Sequence, residues 1–269
     1  MEAWHPLSDP ISEREAKPRR RGLTMVIDKG LGVAATRDLM AVAAGYIDFV
    51  KLGFGTSLLY PVQVLAEKIR IVREAGVHVY PGGTLLEVAV YQGAVEEFLV
   101  AAARLGFTYV EVSDGTIDLP PAVRRDLIRR ARDMGLGVLA EIGKKEPGRA
   151  LVPEDVWEQA AADRAAGAEV VIVEGRDSGR GVGIYDAGGQ IRETLLEAIA
   201  AGFEGADGVM WEAPQAHQQQ ALLLRFGPEV NLGNVQPADA LALEAMRRGL
   251  RGDTLRRCLA GVREPAPPV

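Results

Sequence analysis

The chain has 269 residues, a formal net charge of −6, 48% hydrophobic and 25% charged residues, and a single cysteine. That profile is globular and large enough to bury a core without cross-links, and Cys258 alone excludes an intramolecular disulfide. The acidic balance argues against a nucleic-acid surface, no apolar run approaches the ~20 residues of a membrane span, and MEAWHPLSDPISEREAKPRRRG lacks the apolar stretch of a secretory signal. The expectation is a cytoplasmic protein with neither nucleic acid nor membrane as partner.

Residues 1–21 read as a flexible N-terminal arm. Beyond it, short β-branched runs alternate with longer Ala/Leu/Arg/Glu segments. The predicted strands are 24–28, 46–51, 77–80, 108–113, 138–142, 169–174, 207–212 and 229–233. Helical spacing marks segments such as 61–76, 120–135 and 153–168. In the second of these, Val123, Leu127, Ile128 and Ala131 fall on one face and the arginines on the other. Gly76, Gly106, Gly135 and Gly167 stand where helix ends favour left-handed backbone. Near-continuously apolar strands separated by helices imply parallel pairing with both faces covered, which a doubly wound sheet and a closed barrel both satisfy. Eight strands in a chain of this length favour a single-domain (β/α)8 TIM barrel over residues 22–258, with a flexible tail over 259–269.

Five of these strands end in acids: Asp28, Glu111, Glu141, Glu174 and Glu212. A single such acid is an ordinary helix cap or loop ion pair. In a parallel barrel, however, all the strand ends share one rim, where active sites are built. Clustered like charges need cations, and Lys29, Lys51, Lys144, Lys145 and Arg176 lie beside them in sequence. A Mg2+ ion, which takes carboxylate oxygens, is the other candidate; the scarcity of histidine and cysteine argues against zinc.

Glycine-rich turns follow two strands. Gly82 and Gly83 in YPGGT, and Asn231, Gly233 and Asn234 in NLGN, are candidates for holding a phosphate, with Arg251 nearby in sequence. Tight βα turns account for the same glycines. The GRGVG stretch lacks the spacing of a dinucleotide fingerprint and reads as a mobile loop over the mouth. Ser57 and Ser113 have no histidine at recognisable spacing, so no nucleophilic triad is expected. His5 falls in the arm, His78 inside a strand, and His217 at the rim or on a helix surface.

Taken together, LTMVIDKGLG, YIDFVKLGFGTS, VYPGGTL, GFTYVEVSDGTID, EIGKK, VIVEGRDSG, WEAPQ, FGPEVNLGN and MRRGLRGDT, spread from about residue 22 to 255, resemble the phosphosulfolactate synthase family of coenzyme M biosynthesis. The resemblance implies a barrel that assembles as a homo-oligomer, a trimer. It implies Mg2+-dependent addition of sulfite to phosphoenolpyruvate, giving (2R)-O-phospho-3-sulfolactate, with Lys145 as the leading candidate for proton transfer. Two departures stand out: Phe54 where the family usually carries Trp, and Ala216-His217 where Lys-Ser is common.

The residues suit that chemistry. Glu111, Glu141 and Glu174, with Asp28 and Glu212, would face the metal. Lys145, with Lys144, Lys51 and Arg176 beside it, would serve the proton transfer and offset the substrates' charge, and neighbouring cations would lower the lysine's pKa. Two rivals remain: another Mg2+-dependent lyase or aldolase acting through an enolate, and a non-catalytic stress-associated member, for which the rim acids would be expected to be lost.

Overall fold

A computed structural model describes residues 9–11, 14–146, 151–203 and 208–261. Each expected strand forms: β1 (Thr24–Asp28), β2 (Phe49–Leu52), β3 (His78–Pro81), β4 (Tyr109–Val112), β5 (Gly137–Ile142), β6 (Val170–Val173), β7 (Val209–Glu212) and β8 (Asn231–Val235). They pair in parallel in the order β3-β2-β1-β8-β7-β6-β5-β4. The seam between β3 and β4 is closed by one residue rather than a ladder. Thr108 donates its N–H to the Val79 carbonyl at 3.0 Å, and its hydroxyl accepts the Val79 N–H at 3.0 Å. The result is a nearly closed (β/α)8 barrel in a single domain.

Around it lie α1 (Val33–Ala43), α2 (Val62–Glu74), α3 (Gly83–Tyr91), α4 (Val95–Leu105), α5 (Pro121–Asp133), α6 (Pro153–Ala166), α7 (Glu193–Ala200), α8 (Ala216–Phe226), α9 (Ala240–Arg247) and α10 (Gly252–Gly261). The four glycines expected at helix ends all take left-handed backbone. Among the described residues no helix is long and apolar enough to cross a membrane.

Strand side chains alternate between two cores. Those facing the helices, among them Val26, Val50, Val110, Val138, Ala140 and Val171, join one continuous apolar cluster. Those facing inward, including Met25, Phe49, Tyr80, Leu139, Ile172 and Met210, plug the barrel. Two residues further along five of the strands the inward position turns charged: Phe49 is followed by Lys51, Tyr109 by Glu111, Leu139 by Glu141, Ile172 by Glu174 and Met210 by Glu212. Alternation thus carries one lysine and four glutamates to the C-terminal mouth.

The helix face expected for α5 needs correction. Leu127, Ile128 and Ala131 are buried, but Val123 is 40% exposed and Arg124 only 1%. Asp163 of α6 supplies the reason: Arg124 donates to it at 2.8 Å, to Asp114 at 3.0 Å and to the Glu141 carbonyl at 2.8 Å. A fully paired guanidinium goes inside where an unpaired one could not.

Part of the expected arm is fastened to the N-terminal end of the barrel. Arg14 binds Glu229 at 2.8 Å and the Gly22 carbonyl at 2.8 Å, Lys17 the Ala44 carbonyl at 3.1 Å, and Arg19 pairs with Asp48 at 3.2 Å. Residues 1–8 and 12–13 of the expected arm and the expected tail from residue 262 lie outside the described residues.

Candidate active site

The C-terminal mouth holds a cavity of about 730 Å3. Its floor is an ion cluster. Lys51 Nζ lies 3.0 Å from Glu111, 3.2 Å from Glu141 and 3.2 Å from Glu212. Lys145 Nζ lies 2.9 Å from Glu141 Oε1 and 3.7 Å from Glu174 Oε2. Each of the four glutamates is 1% exposed. Backbone groups hold them in turn: Gly83 N–H donates to Glu111 at 2.8 Å, and Gly175 N–H to Glu212 at 2.9 Å. At Gly83 a side chain has no room, because a Cβ would stand 2.4 Å from Ser113 Oγ and 2.8 Å from Glu111 Oε1.

Four carboxyl groups facing two ammonium groups favour an excess of negative charge in a buried site, and the protonation equilibria register it. Burial, opposed by Lys51 and reinforced by Glu141, pushes Glu111 up to about 7. Burial and the charges of Glu141 and Glu212 hold Glu174 well above the usual carboxylate range. Burial also raises Glu212, against the pull of Lys51. Glu141 goes the other way: burial would raise it, but Lys145 and Lys51 together hold it below its ordinary value. Both lysines are raised despite burial, Lys51 by Glu111, Glu212 and Glu141, and Lys145 by Glu141 and Glu174. The expected lowering of the Lys145 pKa by cations is therefore overturned, because the carboxylates dominate its surroundings.

The residues fit a hard divalent cation. One oxygen from each of Glu141, Glu174 and Glu212 lies within 4.8 Å of the others, all three residues are buried, and Glu174 Oε2 accepts no hydrogen bond. An all-oxygen donor set with surplus negative charge suits Mg2+.

A family model described as (2R)-phospho-3-sulfolactate synthase (ComA) matches residues 12–253. The chain belongs to this family. The phosphosulfolactate synthase of Methanothermobacter thermautotrophicus is 45% identical over 257 residues, which is 95% of this chain and 98% of that one. The phosphosulfolactate synthase of Methanocaldococcus jannaschii is 45% identical over 237 residues, 87% of this chain and 94% of that one. Among solved structures, the 3-hexulose-6-phosphate synthase of Salmonella typhimurium superposes with a TM-score of 0.55 at 15% identity, covering 88% of this chain and 99% of that one, a likeness of fold.

Within the barrel of this family member the expected residues divide. Lys51, Lys144, Lys145, Glu111, Glu141, Glu174, Glu212, Arg176, Gly82, Gly83 and Asn234 all border the mouth cavity. Asp28 does not: it faces away from the barrel axis, pairs with buried Lys68 at 2.6 Å and accepts the Gly30 N–H at 2.8 Å. Asn231 lies at the N-terminal end of β8, accepting the Leu23 N–H at 2.9 Å and donating to the Val209 carbonyl at 2.8 Å. Gly233 packs in the interior, where a Cβ would meet Met25 at 2.8 Å. Lys29 is a rim residue 3.9 Å from Asp177, and Arg251 pairs with Asp253 at 3.1 Å, away from the cavity.

The Gly82-Gly83 turn shapes the cavity wall, but its N–H groups go to the Leu52 carbonyl at 2.9 Å and to Glu111. Neither is open to an anion. The GRGVG loop is pinned to α8: Gln218 donates to the Gly179 carbonyl at 2.8 Å and the Gly189 carbonyl at 2.9 Å, and the His217 ring lies 3.0 Å from the latter. His217, one of the two family departures, is thus a loop contact. Phe54, the other, stands 56% exposed at the cavity edge with φ of 56°.

Two site residues went unread in the sequence. Glu87 of α3 is 2% exposed and accepts from Ser113 Oγ at 2.6 Å, and Thr84 Oγ1 lies 3.4 Å from Lys145 Nζ. The signal for Glu87 was present, an acid inside the apolar run TLLEVAVY.

Proposed function

We propose that this chain is a phosphosulfolactate synthase that adds sulfite to phosphoenolpyruvate in a Mg2+-dependent reaction, giving (2R)-O-phospho-3-sulfolactate. The observation that carries the reading is the buried set of four glutamates and two lysines at the barrel mouth of a chain in this family.

Glu141, Glu174 and Glu212 would hold Mg2+, whose contribution when bound is to polarise the substrate carboxylate as a Lewis acid. The sulfite sulfur lone pair forms a C–S bond at the methylene carbon of the enol phosphate. The C=C electron pair moves to the adjacent carbon and into the carboxylate. Lys145 then delivers a proton to that carbon, and the phosphate ester is retained. Its ammonium, raised in pKa by Glu141 and Glu174, arrives at the reaction protonated, as a general acid must. Lys51 keeps Glu111, Glu141 and Glu212 spaced. Arg176, exposed at the cavity wall, offers a fork of donors to the phosphate or the sulfonate, and its backbone is anchored to Glu174 at 2.5 Å. Asn234, 2% exposed with its Oδ1 unpartnered, adds an amide at the same wall.

The assembly belongs to the same reading: a homo-oligomer, a trimer by resemblance. Leu58 at 73%, Leu59 at 79%, Val62 at 58% and Tyr91 at 84% exposure leave apolar surface that a second copy would cover. Mass photometry showing only monomers at assay concentration would remove that part.

The test of function is consumption of phosphoenolpyruvate with product mass identified. Consumption is expected to require sulfite and Mg2+ together, and Lys145→Ala is expected to abolish it with the fold intact. Sulfite-independent consumption would point to a different enolate lyase, and no consumption with or without sulfite to a non-catalytic member.

A further inference from the structure

The two adjacent lysines of EIGKK do different things. Lys145 reaches into the ion cluster. Lys144, although it borders the cavity, spends its ammonium on the turn between β4 and α5. It donates to the Asp114 carbonyl at 2.7 Å, Asp114 Oδ2 at 3.0 Å, the Ile117 carbonyl at 2.9 Å and Asp118 at 2.9 Å. The buried Glu87 carboxylate grips the same turn from the other side. Ser113 Oγ donates to one oxygen at 2.6 Å, and the N–H groups of Thr116 and Ile117 to the other at 2.8 and 3.1 Å. Between these fastenings sits Gly115. Its carbonyl accepts the Lys145 N–H at 2.9 Å, and a Cβ on it would stand 3.0 Å from Cγ, Cδ and Cε of Lys145.

We propose that residues 113–118 form a preformed sleeve that sets where the Lys145 ammonium sits, with Gly115 the contact surface and Glu87 and Lys144 the positioning residues that hold it. The inference rests on the reading of Lys145 as proton donor. A four-carbon stem is flexible, and a donor must be within hydrogen-bond reach of the carbon it serves. Packing the stem against bare backbone removes that freedom before substrate arrives. Glycine is needed for closeness, not for conformation: Gly115 is absent from the left-handed positions of the backbone. Alanine therefore requires no left-handed backbone there, and the three atoms its Cβ would meet first all belong to Lys145.

Gly115→Ala is the test. It is expected to lower kcat on the order of 10- to 100-fold while KM for phosphoenolpyruvate stays within about twofold, since a misplaced group loses transition-state contact and not substrate binding. The thermal midpoint should be that of the wild type. Lys144→Met should lower kcat in the same pattern, with Lys144→Arg recovering part of it. A second readout does not depend on turnover. Glu87 Oε1 also lies 3.9 Å from Lys145 Nζ, so its removal changes charge as well as position. At fixed pH, labelling of Lys145 by an amine-reactive reagent, followed by peptide mass, should therefore be read in Gly115→Ala and Lys144→Met, where it should quicken several-fold with surface lysines unchanged. A folded Gly115→Ala protein with wild-type kcat and wild-type labelling overturns the sleeve, as does a fall in kcat/KM carried by KM alone. Faster labelling in the variant of an enzyme that never consumes phosphoenolpyruvate would keep the sleeve and overturn the proposed function.

Discussion

Lys51 is 7% exposed and contacts three buried carboxyl groups at once. An ammonium in such a place is tolerated only because the attraction of Glu111, Glu212 and Glu141 outweighs lost hydration. Lys51→Met keeps the bulk and removes the charge, so the carboxylates would be left with Lys145 alone. The variant should lose about 3–5 kcal/mol of stability, measured by urea unfolding in chelator. Wild-type stability in that variant would show the cluster to be carried by other groups. Glu111 gives the complementary experiment. Its carboxyl is raised from 4.5 to about 7 by burial, so between those values the folded chain keeps a proton that the unfolded chain has released. Stability therefore falls as pH rises through that window, and the contribution present below it is gone above about 7. Glu111→Gln cannot titrate there, and Lys51 retains two carboxylate partners. In chelator, wild type minus variant stability should drop by on the order of 3 kcal/mol across the window. A flat difference would mean that Glu111 is ionised throughout.

At the level of elements, what the sequence showed and what it hid follow from parity. Strands were legible because every one is a short apolar run bounded by turn residues. Whether its last acid faces inward was not, because residues on both faces of a strand buried on two sides are apolar. In β1 Met25 lies in the barrel plug and Val26 against the helices, so Asp28 shares the outward parity and meets Lys68. In β6 Ile172 faces in, and Glu174 follows it. Helix faces were less legible still: α5 exposes Val123 and buries Arg124, because the partner that makes burial affordable, Asp163, lies 39 residues away in another helix. Arg124→Ala is expected to cost about 3–5 kcal/mol, since it removes the guanidinium that donates to both oxygens of the fully buried Asp163 and leaves that charge with the Gln159 amide. Val123→Ala should stay within about 0.5 kcal/mol. Urea midpoints of the two variants decide it, and equal losses would return the helix to its expected orientation. Glu87 went unread for a different reason: it comes from a helix interior, where no strand-end rule applies, and only its place inside the apolar run TLLEVAVY marks it.

The whole molecule turns local parity into chemistry. Rolling the strands into a ring places Lys51, Glu111, Glu141, Glu174 and Glu212, scattered over more than 160 residues, against one cavity, and Lys145 joins them from the loop after β5. At the β3–β4 seam Thr108 hydrogen-bonds both backbone groups of Val79 and the His78 and Tyr109 rings meet at 4.7 Å, a detail no periodicity could announce. The closed ring also fixes the charge surplus at its mouth, and a divalent ion would relieve it. Mg2+ should therefore raise the thermal midpoint of the metal-free protein, with a stabilisation of about 2.7 kcal/mol once the ion is at 100 times its Kd. Because burial and Glu141 raise the pKa of Glu174 and Glu212, protons compete with the ion for these oxygens more strongly as pH falls, and the gain should shrink. Glu174→Gln and Glu212→Gln each remove one charged oxygen donor and part of the surplus, so the gain should be largely lost in both, while the metal-free variants stay as stable as wild type or more so. An equal Mg2+ response in wild type and Glu174→Gln would place any bound ion elsewhere on the molecule and leave the glutamates balanced by protons and lysines alone.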